Sequence, residues 1–275
     1  MSLRNPIFAV LAASIFLGGC SSGKLHYESA DASHEAGLKA LEKRKCWAAQ
    51  QILQNLLSDY PGSHLVDDAQ FSLAKAYFCS DDYVTSIFEF ERVLNEYPTS
   101  DYVDDARYEI GLCYYEQSRG IHHDQSDTEK AIREFRRFIE DYPRSDRVAD
   151  AQNRIQELRN KLAEKMVMIA SNYLKWRAPG SALRYCDEGL RLYPDTDLVP
   201  RMRFIQALSK QKMGELEEAL EILVRLQGQA LDIGFKSEIG EAIDLVRKAL
   251  TERPSEPVET VSESSVSGGA AAAGH

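Results

Sequence analysis

The chain has 275 residues, 44% of them apolar and 28% charged, enough core material for one elongated domain and too much for a wholly disordered chain. Its formal charge is -10, and it becomes -11 without the first twenty residues, whose only charged side chain is Arg4. A chain this acidic, with no extended basic run, is excluded as a nucleic-acid binder, because phosphates require clustered Lys and Arg.

Residues 1–19 read as an export signal. Arg4 gives a positive start, and Ile7 to Leu17 is an apolar run of eleven residues, too short to span a bilayer as a stable helix. Leu17-Gly18-Gly19-Cys20 resembles the bacterial lipobox, which implies cleavage before Cys20 and a diacylglycerol plus an N-acyl chain on that cysteine. These acyl chains are the only prosthetic group expected. Ser21 and Ser22, with no aspartate after Cys20, imply sorting to the periplasmic face of the outer membrane, where two or three acyl chains make a stable anchor. Residues 20–32 form a lipidated tether.

From residue 33 to 252 the sequence repeats. Tyr60-Pro61-Gly62-Ser63, Tyr97-Pro98-Thr99-Ser100, Tyr142-Pro143-Arg144-Ser145 and Tyr193-Pro194-Asp195-Thr196 hold four of the nine prolines. Proline after an apolar helical run stops the helix. Counting back from each proline, small and large apolar residues recur at fixed offsets: Val93, Phe90, Ser86, Tyr77 and Ala74 before Pro98, and Leu56, Leu53, Ala49, Ala40 and Gly37 before Pro61. The later copies have Phe138, Phe135 and Ala131, then Gly189, Cys186, Ala182, Tyr173 and Ala170. This is the tetratricopeptide pattern, in which small residues let two antiparallel helices approach and proline closes the unit. The fold class is therefore all-α: a tetratricopeptide-like α-solenoid of five helix pairs.

The predicted helices are Glu35 to Glu42 and Trp47 to Asp59, then Val66 to Phe78 and Tyr83 to Glu96. Tyr102 to Glu116 opens the third pair. Eight extra residues, around Ser118 to Asp127, precede its partner helix and predict a protruding loop. A further fourteen extra residues, with no proline or glycine from Arg147 to Trp176, predict a long helix joining repeats three and four. Fourteen residues advance a helix by about 3.9 turns, so Ala151, Ile155, Leu158, Leu162, Val167, Ile169, Ala170, Tyr173 and Leu174 keep one apolar face. A fifth pair follows Pro200, and Phe235 to Thr251, with Ile239, Ile243, Leu245, Val246 and Leu250, caps the last open face. Residues 253–275 are poor in core-forming side chains and are expected to be disordered.

No phosphate-binding glycine loop, Gly-x-Ser-x-Gly elbow or His-Glu-x-x-His pair is present, so the chain reads as non-catalytic. His122, His123, Asp124 and Asp127 are the only residues that suggest a metal, and they read better as a solvated loop; no metal is expected. Cys46, Cys79, Cys113 and Cys186 remain beside Cys20. Spacings of 33 and 34 residues suggest equivalent places in successive repeats for the first three, and buried thiols are favoured over a disulfide. The inner wall of first helices carries Phe71, Lys75 and Phe78, then Tyr108, Leu112 and Tyr115, away from the packing positions Ala74 and Gly111. Such a wall suits a groove for a peptide with aromatic side chains, if its rings do not simply fill gaps between repeats.

The lipobox, the Tyr-Pro-x-Ser endings, the enlarged third turn, the long helix with Arg154, Arg159, Leu162, Ala163 and Lys165, and the run Leu190-Arg191-Leu192-Tyr193-Pro194-Asp195-Thr196 resemble the BamD (ComL) family of outer-membrane lipoproteins over residues 17–230. The resemblance implies a non-catalytic component of the BAM complex, which inserts β-barrel proteins into the outer membrane. It implies a BamA-like barrel protein bound by the C-terminal repeats, with Arg177, Arg184, Tyr185 and Arg191 as contacts. It implies unfolded outer-membrane proteins received by the N-terminal repeats, and other lipoproteins of the same assembly as further partners. Two alternatives remain open: another periplasmic scaffold, such as a CpoB-type envelope-constriction coordinator or a secretin pilotin, and an enzyme or metal carrier.

Overall fold

The computed structural model describes residues 27–229 and 231–253. The export signal, Cys20 and the tail from Pro254 onward lie outside the described residues. Among the described residues every regular element is an α-helix: α1 (Ala30–Glu42), α2 (Cys46–Asp59), α3 (Val66–Cys79), α4 (Tyr83–Glu96), α5 (Val103–Gln117), α6 (Ser126–Asp141), α7 (Val148–Lys175), α8 (Pro179–Leu192), α9 (Val199–Met213), α10 (Leu216–Gln227) and α11 (Ile233–Glu252). The order is that of a tetratricopeptide-like α-solenoid with an extended α7 and a terminal α11. None of these helices is long and apolar enough to cross a membrane.

Each Tyr-Pro-x-Ser copy stops its helix in the same way. Tyr60, Tyr97 and Tyr193 leave the helix with φ near -130° and positive ψ, the conformation that a following proline imposes. Their N–H groups still donate to Leu56, Val93 and Gly189. Their carbonyls then accept from Ser63 at 3.0 Å, Ser100 at 3.0 Å and Thr196 at 3.4 Å, and Tyr142 accepts from Ser145 at 3.1 Å. Proline thus sits second in a four-residue turn, where its fixed φ is already correct.

The helix starts carry their own signals. Ser29 accepts from Ala32 N at 3.1 Å, so α1 begins at Ala30, five residues before the expected Glu35, and the tether is correspondingly shorter than residues 20–32. Asp82 caps α4 through Thr85 N and Asp232 caps α11 through Phe235 N. Gly214, at φ 87°, closes α9 in the left-handed region that glycine tolerates.

Among the described residues the helices fall into two compact units, 27–117 with 141–145 and 118–140 with 146–229 and 231–253. The expected third pair is divided: α5 belongs to the first unit and α6, apart from Asp141, to the second. In the first unit, Ala49, Leu53, Leu56, Ala69 and Leu73 form one core cluster and Ala74, Phe90, Val93, Ala106 and Ile110 another. Ala49, Leu53, Leu56, Ala74, Phe90 and Val93 stand at the offsets counted from the prolines, and Ala69, Leu73, Ala106 and Ile110 are core positions those offsets did not name. A Cβ on Gly37 would lie 2.6 Å from a methyl of the fully buried Leu53, so only glycine lets α1 and α2 approach this closely.

In the second unit Gly189 repeats that device, its missing Cβ replaced by the Met202 sulfur. Helix α7 runs unbroken for 28 residues and buries Ala151, Leu158, Leu162, Ala163 and Ala170. Helix α11 buries Ile239, Ala242, Ile243 and Val246 against α9 and α10, as a cap should. Leu245, expected on that face, instead points outward at 60% exposure, because it follows Ile243 by two positions and so lies across the helix from the buried stripe.

Two expectations are corrected. The Ser118 to Asp127 insert is strapped down rather than protruding: Lys161 donates to the Ser118 carbonyl at 2.9 Å and hydroxyl at 2.8 Å, and Lys165 donates to the His123 carbonyl. Gln125, buried, donates to the Gly120 and His123 carbonyls and accepts from Thr128. The cysteines are also not equivalent. Pro61 and Pro98 lie 37 positions apart, so a spacing of 33 carries Cys46, the first residue of α2, to Cys79, the last of α3. Those two ends meet in an antiparallel pair and form a disulfide. Cys113 and Cys186 are buried thiols.

Candidate functional site

In the first unit, α1 and α3 face each other across a cavity of about 470 Å³ lined by Leu38 and Leu41 from α1, by Phe71, Lys75 and Phe78 from α3, and by Tyr102 before α5. Arg44, Ser72, Cys79 and Asp81 complete it. Leu38 and Leu41 lie about one turn apart on α1, and Phe71, Lys75 and Phe78 follow one another at about one turn each on α3, which is why a single face of each can line the space while the small residues Ala40 and Ala74 pack behind it.

The wall is held in place by ring contacts. Phe71 stacks on Tyr102 at 4.7 Å between centroids and tilts against Phe90 at 5.5 Å. Phe78 meets the edge of Tyr83 at 5.3 Å. Burial, followed by the hydrogen bond to Asp81, pushes the Tyr83 phenol up to about 12, and burial with the neighbouring Asp68 also raises Tyr102, so both rings stay neutral. Lys75 lies over the Phe78 ring, 5.4 Å from its centroid, and donates to Glu109 at 2.8 Å. Glu109 is almost fully enclosed, so the pair fixes the ammonium at the cavity wall.

Phe71, Lys75 and Phe78 thus come together as read from the sequence. Tyr108 does not join them: it is 2% exposed and offers no ring face to a ligand. Leu112 and Tyr115 are half-buried. Leu38, Leu41, Arg44 and Tyr102 were not singled out from the sequence. The available signal was the Leu38–Leu41 spacing beside the small residues of α1.

Arg177, Arg184, Tyr185 and Arg191 lie in the second unit. Arg177 is exposed in the α7–α8 turn at φ 58°, and Arg184 is exposed with its guanidinium on the Ser181 hydroxyl at 3.3 Å. Arg191 forks onto Glu188, whose carboxyl it holds below the usual range. Tyr185 stacks on Tyr173 at 5.3 Å and packs beside Ala170 and Cys186, so its ring serves the core. The α7 motif is also engaged within its unit. Arg159 forks onto Asp195 and reaches the Leu192 carbonyl at 3.1 Å, while Gln156 and Asn160 hold Asp195 and Asp197, which clamps the fourth Tyr-Pro turn.

Among the described residues no three or more His, Cys, Asp and Glu come together as metal ligands. Asp124 accepts from the Ser126 N–H at the start of α6 and Asp127 pairs with Lys130.

The family model for the YfiO outer membrane lipoproteins matches residues 27–222, the whole of both candidate surfaces. The chain belongs to the YfiO family. YfiO-type relatives include the outer membrane protein assembly factor BamD of Vibrio cholerae, 29% identical over 231 residues, 80% of this chain and 95% of that protein. BamD of Rickettsia prowazekii is 26% identical over 202 residues, 71% of this chain and 79% of that protein. Among solved structures, the TPR2AB domain of yeast Sti1 aligns with 79% of this chain and 98% of its own at 14% identity and a TM-score of 0.38. The tetratricopeptide protein TTC0263 of Thermus thermophilus aligns with 78% at 16% identity and a TM-score of 0.35. The fold assignment for this YfiO-family chain rests on its own helices and turns.

Proposed function

We propose that this protein is a non-catalytic scaffold of outer-membrane β-barrel assembly, anchored by acyl chains on Cys20 at the periplasmic face. Its first unit receives an unfolded barrel protein, and its fourth helix pair meets a BamA-like barrel protein through Arg177, Arg184 and Arg191. The observation that carries the reading is the open cavity between α1 and α3 in a member of the YfiO family. Its walls are Phe71, Phe78, Tyr102, Leu38 and Leu41, with the cations Arg44 and Lys75 at their margin. A cavity of that lining suits an aromatic side chain next to carbonyls or a carboxylate of an extended strand, and membership of the family supports the barrel-protein class of ligand.

The test is binding of a fluorescent peptide, a barrel protein's C-terminal strand ending in phenylalanine. Phe71→Ala with Phe78→Ala should weaken it at least tenfold while helical content is unchanged. Equal affinity for the variant, or for a peptide with the aromatic replaced by serine, overturns the reading. Recovery of a barrel protein with the tagged chain from solubilised outer membrane, reduced in Arg177→Glu/Arg184→Glu, tests the second contact.

A further inference from the structure

Both tryptophans of the chain are exposed, Trp47 at 72% and Trp176 at 71%, although tryptophan is on average a well-buried residue. Each stands at the turn between the first and second helix of a pair, beside cations: Lys43, Arg44 and Lys45 precede Trp47, and Lys175 and Arg177 flank Trp176. The first unit holds two further exposed apolar side chains at the start of its next second helix. Val84, second residue of α4 as Trp47 is of α2, is 72% exposed, and Phe88, one turn further on, is 58% exposed. Of the exposed positions of α2 that follow Trp47, Gln51, Gln54 and Ser58 carry no charge and only the terminal Asp59 does.

We propose that Lys43, Lys45, Trp47, Val84 and Phe88 form a surface that rests on the anionic headgroups of the bilayer. Tryptophan with flanking lysines is the residue set that settles at headgroup depth, ring among the glycerol groups and ammonium on phosphate. Charge at the turn itself favours this partner: Lys43 and Lys45, with Arg44 at the cavity margin, outnumber the exposed carboxylate beside them, Glu42. The carboxylates of the adjacent turn are directed elsewhere: Asp81 accepts from the Tyr83 hydroxyl and Asp82 caps α4.

Chain length allows it. The inference rests on the proposed acylation of Cys20 for its in-cell setting, and the seven residues from Ser21 to Tyr27 reach at most about 25 Å when extended. Helix α1 adds about 20 Å between that tether and the basic turn, so the turn stays within reach of the membrane even with α1 lying flat.

The experiment uses the chain from residue 20 with Cys20→Ser and Trp176→Phe, so that Trp47 alone reports and no acyl chain contributes. It is mixed with vesicles of phosphatidylethanolamine and phosphatidylglycerol, 3:1, or of phosphatidylcholine alone. The expected result is a shift of Trp47 emission to shorter wavelength and flotation with the anionic vesicles only. Lys43→Gln/Lys45→Gln should weaken the partition about thirtyfold, at about a tenfold loss per 1.4 kcal/mol and ~1 kcal/mol per cation. Trp47→Ala/Phe88→Ser should weaken it similarly with helical content intact. No shift with anionic vesicles overturns the proposal. So does binding that survives both variants, or a concentration-dependent shift without vesicles, which would assign the surface to a second copy of the chain. An unmodified Cys20 in protein isolated from cells would refute the anchor and leave this vesicle result standing.

Discussion

Cys46 and Cys79, the first residue of α2 and the last of α3, are joined by a disulfide across 33 positions of sequence, with Cα atoms 5.6 Å apart. The bridge staples the first helix pair to the second directly beside the cavity, to which Cys79 contributes. Closing a loop of this length stabilises by about 2–4 kcal/mol, chiefly by restricting the unfolded chain. Cys46→Ser/Cys79→Ser should therefore lower the urea midpoint of the first unit, followed by Trp47 fluorescence in a Trp176→Phe background. A reducing agent should lower the midpoint of the parent by the same amount and leave the variant unchanged. A reductant effect on the variant would place the loss elsewhere.

Cys113 and Cys186 should behave oppositely. Burial pushes each thiol up to about 12, and at Cys113 the Ser86 hydroxyl, 3.5 Å away, does not reverse that. At pH 8 only about one thiol in ten thousand would be thiolate, the nucleophilic form. In unreduced Cys20→Ser protein, alkylation should find no thiol in the native state, two in denaturant, and four after reduction in denaturant. Fast native labelling of either cysteine would mean that its helix opens.

Gly37 tests the packing rule on which the fold depends. Alanine there gains up to about 1 kcal/mol in helix propensity. Its methyl, however, falls 2.6 Å from the Leu53 Cδ2 and 2.8 Å from Cγ, on a fully buried side chain. Overpacking costs about 1–3 kcal/mol. Gly37→Ala should lose about 1 kcal/mol net, and Gly37→Ala with Leu53→Ala should lose less than the sum of the two single losses, because the alanine methyl enters space that Leu53 vacates, so the double-mutant cycle should show coupling. Additive effects would show that α1 and α2 do not depend on this contact.

The difference between what could and could not be read from sequence has a physical cause. Helix identity and the packing face follow from offsets within about twenty residues of each proline, and α4 spans Tyr83–Glu96 as those offsets require. Contacts that cross repeats follow from where helix ends meet. The 33-residue cysteine spacing looked like a repeat because it is close to the true step of 37, yet the four-residue difference moves a side chain to the opposite end of a neighbouring helix. Lys161 and Lys165 look like ordinary solvated charges on α7, and only their proximity to Ser118 and His123 shows them as straps. Phe71, Lys75 and Phe78 were legible as one face of one helix, whereas Leu38, Leu41 and Tyr102 required knowing what that face opposes.

Arg159 and Asp195 carry a pH prediction. The guanidinium holds the Asp195 carboxyl below the usual carboxylate range, chiefly by direct hydrogen bonds. Because the folded value is depressed, the stabilisation is fully present above the unfolded value near pH 4 and disappears as pH falls through the lower folded value. Asp195 is about half exposed, so solvent screening limits the pair to roughly 0.5–1 kcal/mol. Asp195→Asn should therefore lower the stability of the second unit by that amount at pH 7, followed by Trp176 fluorescence in a Trp47→Phe background. At pH 2.5 the difference between variant and parent should shrink, and 1 M salt at pH 7 should shrink it as well. A deficit of equal size at both pH values would instead assign the role of Asp195 to its turn geometry, in which its carbonyl accepts from Gln156 at 3.0 Å whatever the charge on the side chain.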